Sequence, residues 1–159
     1  MSGDERARIS EIRLDSASIV RWSREVEHER QVALFDLMER NSFALANGFA
    51  GPYRVLLSLR EANLIFEISD GPGTRQAEIT LSMRPFRRII KDYFLICDSY
   101  FQAIKSASPS RIEAIDMGRR GLHNEGAEKL AEALADKIVI DDETARRLFT
   151  LICVLHIRA

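Results

Sequence analysis

Residues 53–82, YRVLLSLREANLIFEISDGPGTRQAEITLS, decide the fold class of this chain. The segment predicts three β-strands, at Tyr53–Leu59, Leu64–Ser69 and Arg75–Ser82. Two short turns separate them, because Arg60–Asn63 and Asp70–Gly73 are rich in residues that favour turns over strands. Three consecutive strands with such short connections form an antiparallel meander.

Helical patterns follow this meander. Pro85 opens a long helix, as proline at the first helical position does, and the apolar stripe of the helix holds Phe86, Ile89, Ile90, Tyr93, Phe94, Cys97, Phe101 and Ile104. Ser108–Pro109 opens another helix, whose pattern falters at Gly118–Gly121 and resumes with Asn124 as a new N-cap. Asp141 or Asp142 caps a last helix.

The chain before the meander is more mixed. Ile9–Leu14 predicts a short strand, Ser18–Asn41 predicts a helix with a solvated EVEHER face, and Phe43–Pro52 predicts a loop. Lys137–Ile140 is a candidate short strand between the last two helices.

Strands and helices therefore come in blocks, which is typical of an α+β protein. We expect a mostly antiparallel sheet of three to five strands, with a long central helix and further helices packed on it. At 159 residues and 18.1 kDa, residues 1–159 form a single domain.

Charge and composition restrict the possible partners. The chain carries 23 basic and 24 acidic residues, a net charge of −1, so neither a nucleic-acid coat nor a membrane-binding surface is expected. The charges are nevertheless uneven: residues 84–120 hold eight basic and four acidic residues, and residues 121–145 hold two and seven. A basic segment followed by an acidic one suggests neighbouring helices with complementary sides.

The two cysteines, Cys97 and Cys153, lie in apolar runs and are expected to be small buried core residues. No stretch is long and apolar enough for a membrane span, and the N-terminal residues do not resemble a signal sequence. We therefore expect a cytoplasmic protein.

Five stretches carry a resemblance to a known family: HERQVALFDLMERNSF, GPY at Gly51–Tyr53, FRRIIKDYFLICDSYFQAI, IEAIDMGRRGLHNEGAE and ARRLFTLICVLH. The chain resembles, over nearly its whole length, a bacterial family of uncharacterised proteins (UPF type). The resemblance implies a small soluble bacterial protein with no established activity, cofactor or catalytic residues, so no residue role is carried over.

The segment GRRGLHNEG, Gly118–Gly126, is the first candidate site. A helix start at Asn124 would offer free backbone N–H groups, and two arginines would add donors for a phosphate or carboxylate. The predicted anion site comprises Arg119, Arg120, His123, Asn124 and Glu125. The alternative is structural: Asp116 pairs with both arginines, Asn124 caps a helix, and His123 is satisfied at the surface or by a carbonyl.

Lys91 and Asp98 give a second candidate, since seven residues apart on one helix they share a face that could line a groove. His28 and Glu25 lack further ligands at metal spacing, and His156 falls on an apolar stripe. We expect no metal and no cofactor.

Two hypotheses for function remain. The first is a non-catalytic binding or regulatory module that acts on a protein partner or as a homodimer, because the C-terminal helices carry abundant apolar surface. The second is a small enzyme or ligand-binding protein for an anionic metabolite. The sequence does not decide whether the protein is an enzyme.

Overall fold

A computed structural model describes residues 5–19 and 23–156. The main sheet has four strands in the order β1 (Ile9–Leu14), β3 (Tyr53–Arg60), β4 (Asn63–Ser69) and β5 (Arg75–Ser82). The pairs β3–β4 and β4–β5 are antiparallel, and β1 pairs with β3 in parallel. The predicted meander is confirmed. The sheet is mixed because α1 (Arg24–Glu39) lies in the long connection from β1 to β3, and such a crossover permits a parallel pair.

Register places the apolar residues of the meander on one face. Val55 lies opposite Ile68, and Leu57 lies opposite Phe66, so their side chains point to the same side. They join one hydrophobic core with buried residues of α1 and of the C-terminal helices. The other face carries ion pairs such as Arg75 with Glu67 and Glu78.

A second, two-stranded antiparallel sheet pairs β2 (Phe43–Leu45) with β6 (Ile138–Ile140). The short strand before the last helix is thus confirmed. The prediction that 43–52 is wholly a loop is wrong at its start, because β2 is held by a strand nearly 100 residues away and three residues carry no periodic signal of their own.

Four helices complete the fold: α1, α2 (Arg87–Ser106), α3 (Pro109–Leu134) and α4 (Asp142–Leu155). Pro85 lies in a short 3-10 turn, Arg84–Phe86, that leads into α2. Asp141 is the N-cap of α4 and accepts from the Thr144 backbone N–H at 2.8 Å. The most buried helix is α4, in which nine of fourteen residues are buried, whereas the longer α2 buries only Ile89, Ile90 and Ala103.

Two predictions about helix bounds are wrong. The first helix begins at Arg24, after Ser23 as N-cap, and not at Ser18, whose hydroxyl bonds to Asp15; residues 20–22 of the predicted span lie outside the described residues. In addition, α3 runs without a break through Gly118–Gly121. Packing against α2 offsets part of the cost of about 1 kcal/mol for each helical glycine, since a Cβ at Gly118 would lie 2.8 Å from Ile96 Cδ1.

The EVEHER stretch of α1 is also less solvated than predicted. His28 is exposed, but Arg30 is 1% exposed and its Nη1 donates to Glu27 at 3.0 Å. No helix in the described part of the chain has the length and apolar character to cross a membrane.

Candidate functional site

The helices α2 and α3 form an antiparallel hairpin. Only Ala107 and Ser108 join them, and Ser108 caps α3 by accepting from the Arg111 backbone N–H. Far from the turn, Lys129 Nζ donates to the Pro85 carbonyl at 2.7 Å. With a rise of 1.5 Å per residue, α2 is about 30 Å long and α3 about 39 Å long.

The inner half of this hairpin is covered by α4. His123 Nε2 lies 2.7 Å from Thr150 Oγ1. The rings of Tyr93, His123 and Phe149 pack together with centroids 5.4 to 6.2 Å apart. Further along the hairpin, burial and then the neighbouring Cys97 of α2 raise the pKa of Cys153 of α4.

Among residues 5–19 and 23–156, no element covers the outer half of the hairpin in this way. Phe101 and Ile104 lie four and seven residues after Cys97 and therefore continue the helix face that α4 covers further in. Their exposed fractions are 59% and 50%. On α3, Ile112 and Ile115 lie eleven and eight residues before His123, continue its face in the same way, and are only partly buried. We call these four residues the outer hairpin face.

The segment predicted as an anion site lies in the middle of α3. Arg119 Nε donates to Asp116 Oδ1 at 3.1 Å, and Arg120 Nη2 lies 3.0 Å from Asp116 Oδ2. The Arg119 guanidinium also lies 5.1 Å from the Tyr100 ring centroid. Bonding to Arg119 lowers the pKa of Asp116, and bonding to Asp116 raises the pKa of Arg119. Asp116 thus already binds both arginines.

Asn124 and Glu125 are exposed on the same helix. The prediction that Asn124 caps a new helix is wrong, because α3 is continuous there and its backbone N–H groups are used within the helix. The anion site at Arg119, Arg120, His123, Asn124 and Glu125 remains a prediction. Because no helix begins at Asn124, the site has neither free backbone N–H groups nor the positive end of a helix dipole to bind an anion.

His123 is bonded as a structural residue. Thr150 Oγ1 donates its only hydrogen to the Arg146 carbonyl at 3.1 Å, so it must accept from His123 Nε2. Burial, followed by the positive charges of Arg146 and Arg119, lowers the pKa of His123. The imidazole is therefore neutral at pH 7, with its proton on Nε2.

The neighbouring side chains are poor nucleophiles. Burial is the main reason that the pKa of Tyr93 is raised to about 12 and that the pKa values of Cys97 and Cys153 are raised as well. Cys153 is buried as predicted, while Cys97 is half-buried. Thiols that stay protonated react slowly as nucleophiles, so this cluster is suited to packing.

Lys91 and Asp98 lie elsewhere, on the wall of a groove of about 910 Å³. The groove runs between α2, the β3–β4 turn and the end of α4, and its apolar lining includes Leu59, Met83 and Leu155. Arg87, Glu61 and His156 add polar groups, whereas no residue of Gly118–Gly126 lines it. The two predicted candidates therefore do not converge on one pocket.

His156 Nδ1 donates to the Ile152 carbonyl at 2.7 Å. In residues 5–19 and 23–156, no group of three or more His, Cys, Asp or Glu side chains is arranged to hold a metal ion. The outer hairpin face was missed in the sequence because its residues continue an ordinary core pattern. The uneven cover depends on α4 ending at Leu155, which the periodicity of α2 and α3 does not indicate.

Comparison with known proteins gives a family match over residues 6–158, to the model of an uncharacterised protein family, UPF0262. A UPF0262 protein of Rhodospirillum rubrum is 60% identical over 148 residues, 93% of this chain and 91% of the relative. A UPF0262 protein of Rhizobium meliloti is 56% identical over 158 residues, 99% of each chain. One of Brucella canis is 57% identical over 153 residues, 96% of this chain and 95% of the relative. No solved structure matches the chain.

Proposed function

The chain belongs to UPF0262, an uncharacterised bacterial protein family, and from this starting point we propose that it is a non-catalytic protein-interaction module that associates with a second copy of itself. The outer hairpin face is the contact surface. The observation that carries the proposal is the exposure of Phe101 and Ile104 on a face of α2 whose inner part, at Tyr93, packs against Phe149 of α4.

The physical argument is hydrophobic. A phenylalanine and an isoleucine that are both at least half exposed, one turn apart, leave apolar area in water at a cost of about 25 cal/mol per Å². A second helical hairpin laid across the first would cover them and complete a four-helix arrangement. The polar residues of the inner half are already engaged with one another, as His123 is with Thr150.

The size of the surface sets the expected strength. The outer half of the hairpin is about 15 Å long and two helices, or about 20 Å, wide. That footprint of roughly 300 Å² includes polar residues and is at the lower end of the size of the largest apolar patch on a typical monomer. It is smaller than the ~800 Å² per partner of a standard stable interface, so we expect a reversible dimer with a dissociation constant in the micromolar range.

The test is sedimentation velocity of the unaltered chain, Phe101→Glu and Met117→Glu, at about 1 to 100 µM so that micromolar association is sampled. Met117 is 67% exposed, but it lies two residues from Ile115 and so faces away from the outer hairpin face. Phe101→Glu is expected to be monomeric, while Met117→Glu associates as the unaltered chain does. Equal association of both variants would contradict the proposal.

A second candidate function, binding of a small anionic ligand, is favoured by the groove. Arg87 and Lys91 lie one turn apart on α2 and line the groove together with apolar Met83 and Leu155. Cations beside an apolar wall suit a carboxylate with an aliphatic chain. Glu61 and Asp98 line the same groove, so the anion would be held at the Arg87–Lys91 end.

A further inference from the structure

We propose that the two copies associate through α2, antiparallel and two-fold symmetric, with Asp98 of each copy opposite Lys105 of the other. This inference rests on the self-association proposed above and adds its register. It commits Phe101 of the outer hairpin face to one occupant, the same residue of a second copy of this chain.

The first support is the arrangement of residues on α2. Phe94, Asp98, Phe101 and Lys105 follow one another at intervals of four, three and four residues, so they form a single stripe along one side of the helix. We call this the α2 stripe. Asp98, Phe101 and Lys105 are exposed, while Phe94 is partly buried at the groove. An exposed aromatic ring is thus flanked by an acid on one side and a base on the other.

The second support is that both charges lack a partner within the described residues. Some other charges of the hairpin are paired within the chain, as Asp92 is with Arg88 and Asp116 is with Arg119. No ion pair or side-chain hydrogen bond to Asp98 or Lys105 occurs among residues 5–19 and 23–156. Seven residues correspond to about 10.5 Å along the helix, so the two cannot pair with each other in one copy.

The third support is symmetry. In a two-fold interface, when residue i of one copy meets residue j of the other, residue j also meets i. Pairing Asp98 with Lys105 of the second copy places the axis midway between them, between Phe101 and Gln102. The same operation therefore forms two ion pairs and brings the two Phe101 rings together.

A parallel arrangement is disfavoured by the same charges. It would place Asp98 against Asp98 and Lys105 against Lys105, and like charges facing each other across an interface oppose association. The charge pattern of the α2 stripe thus selects the antiparallel pairing.

The experiment is a charge reversal at each position, Asp98→Lys and Lys105→Asp, followed by the double variant. Each single variant places like charges together twice per dimer, and we expect its dissociation constant to rise by at least about tenfold at low salt. The double variant restores both pairs with exchanged signs, and we expect a dissociation constant within about threefold of that of the unaltered chain. Arg88→Asp, an equally large charge reversal on a different side of α2 from the stripe, is the control that keeps self-association.

A mixture of the two single variants gives a sharper result. The Asp98→Lys variant carries a base at both positions of the pair, and the Lys105→Asp variant carries an acid at both. Antiparallel heterodimers therefore have two attractive pairs, whereas homodimers have none. Native mass spectrometry, which separates the species by mass, should show heterodimers in excess over both homodimers. Thermal unfolding of each variant alone checks that it is folded.

The outcomes separate the two proposals. If Phe101→Glu abolishes association but the charge reversals leave it unchanged, the register is wrong and the self-association stands. If the single variants dissociate and the double variant does not recover, the pairing of Asp98 with Lys105 is likewise refuted. If the unaltered chain is monomeric throughout, both proposals fail.

Discussion

His123 of α3 and Thr150 of α4 are joined by a hydrogen bond of 2.7 Å, in which the ring Nε2–H donates to the threonine oxygen. The bond fixes one tautomer, because the Thr150 hydroxyl donates its own hydrogen to the Arg146 carbonyl. It also marks where α4 covers the hairpin. Beyond this covered half, within the described residues, Phe101 and Ile104 on the same face of α2 are at least half exposed.

Replacing His123 with Gln should flatten the pH dependence of stability. The pKa of His123 is lowered in the folded protein by burial, Arg146 and Arg119, so the unfolded chain binds more protons as the pH falls through about 6.5. The histidine therefore lowers the free energy of unfolding as the pH falls, by no more than about 1.4 kcal/mol per pH unit. Urea unfolding at several pH values between about 5 and 8 measures the effect.

The matched control is His28→Gln, which removes an exposed histidine of α1. We expect the slope between about pH 5 and 8 to be smaller in His123→Gln than in His28→Gln, because His123 is partly buried and bonded to Thr150 whereas His28 is exposed. An unchanged slope in His123→Gln would show that the imidazole is not held neutral by its surroundings.

Two glycines of α3 should respond to alanine in opposite directions. A Cβ at Gly126 would overlap the Phe149 ring, while nothing lies within 4 Å of a Cβ at exposed Gly121. Gly121→Ala should raise the free energy of unfolding by about 0.5–1 kcal/mol through helix propensity. Gly126→Ala should lower it by about 1–3 kcal/mol through overpacking. Urea denaturation checks both, and stabilisation by both variants would argue against close contact between α3 and α4.

Tyr53→Phe should destabilise the protein although it keeps the ring. The hydroxyl accepts from the Leu45 backbone N–H at 3.2 Å and donates to the Phe49 carbonyl, so its loss leaves a buried donor of β2 unpaired. The expected cost is about 1–3 kcal/mol. Tyr100→Phe is the comparison, because its ring keeps the contact with Arg119, and we expect a change below about 0.5 kcal/mol there. Equal losses would mean that the Tyr53 hydroxyl does not anchor β2.

The groove should bind a medium-chain aliphatic carboxylate if the second candidate function is correct. Octanoate is expected to raise the melting temperature of the unaltered chain, since a ligand that binds only the folded state stabilises it. Arg87→Ala combined with Lys91→Ala should remove this shift because both cations lie at the groove. Arg119→Ala combined with Arg120→Ala tests the site on α3 in the same assay. If only the Arg119→Ala, Arg120→Ala variant loses the shift in melting temperature, the ligand binds at α3 and not in the groove.

The sheet could be predicted because its signals are local. Alternation along residues 75–82 and the turn residues around Gly73 require no knowledge of distant partners, and Gly73 does adopt a positive φ of 94°. The strand β2 could not be predicted, since its three residues are held by distant partners, β6 and the Tyr53 hydroxyl. The continuity of α3 also depends on a distant residue, because the close approach of Phe149 to Gly126 is a tertiary contact.

The candidate sites show the same division. Helical spacing puts Lys91 and Asp98 on one face, and both line the groove. Helical spacing also allows Asp116 to pair with Arg119 and Arg120. Both ion pairs are present in the structure, as the structural alternative for the GRRGLHNEG segment predicted. Which apolar positions remain in water could not be derived from periodicity, because Phe101 and Ile89 share one pattern and only Ile89 is buried.

The central claim, that a second copy covers the outer hairpin face, is tested most directly by the mass of the untagged chain in solution. Native mass spectrometry at concentrations up to about 100 µM, well above a micromolar dissociation constant, should show a species of twice the 18.1 kDa chain mass that grows with concentration. A species of 18.1 kDa alone at every concentration would contradict the account.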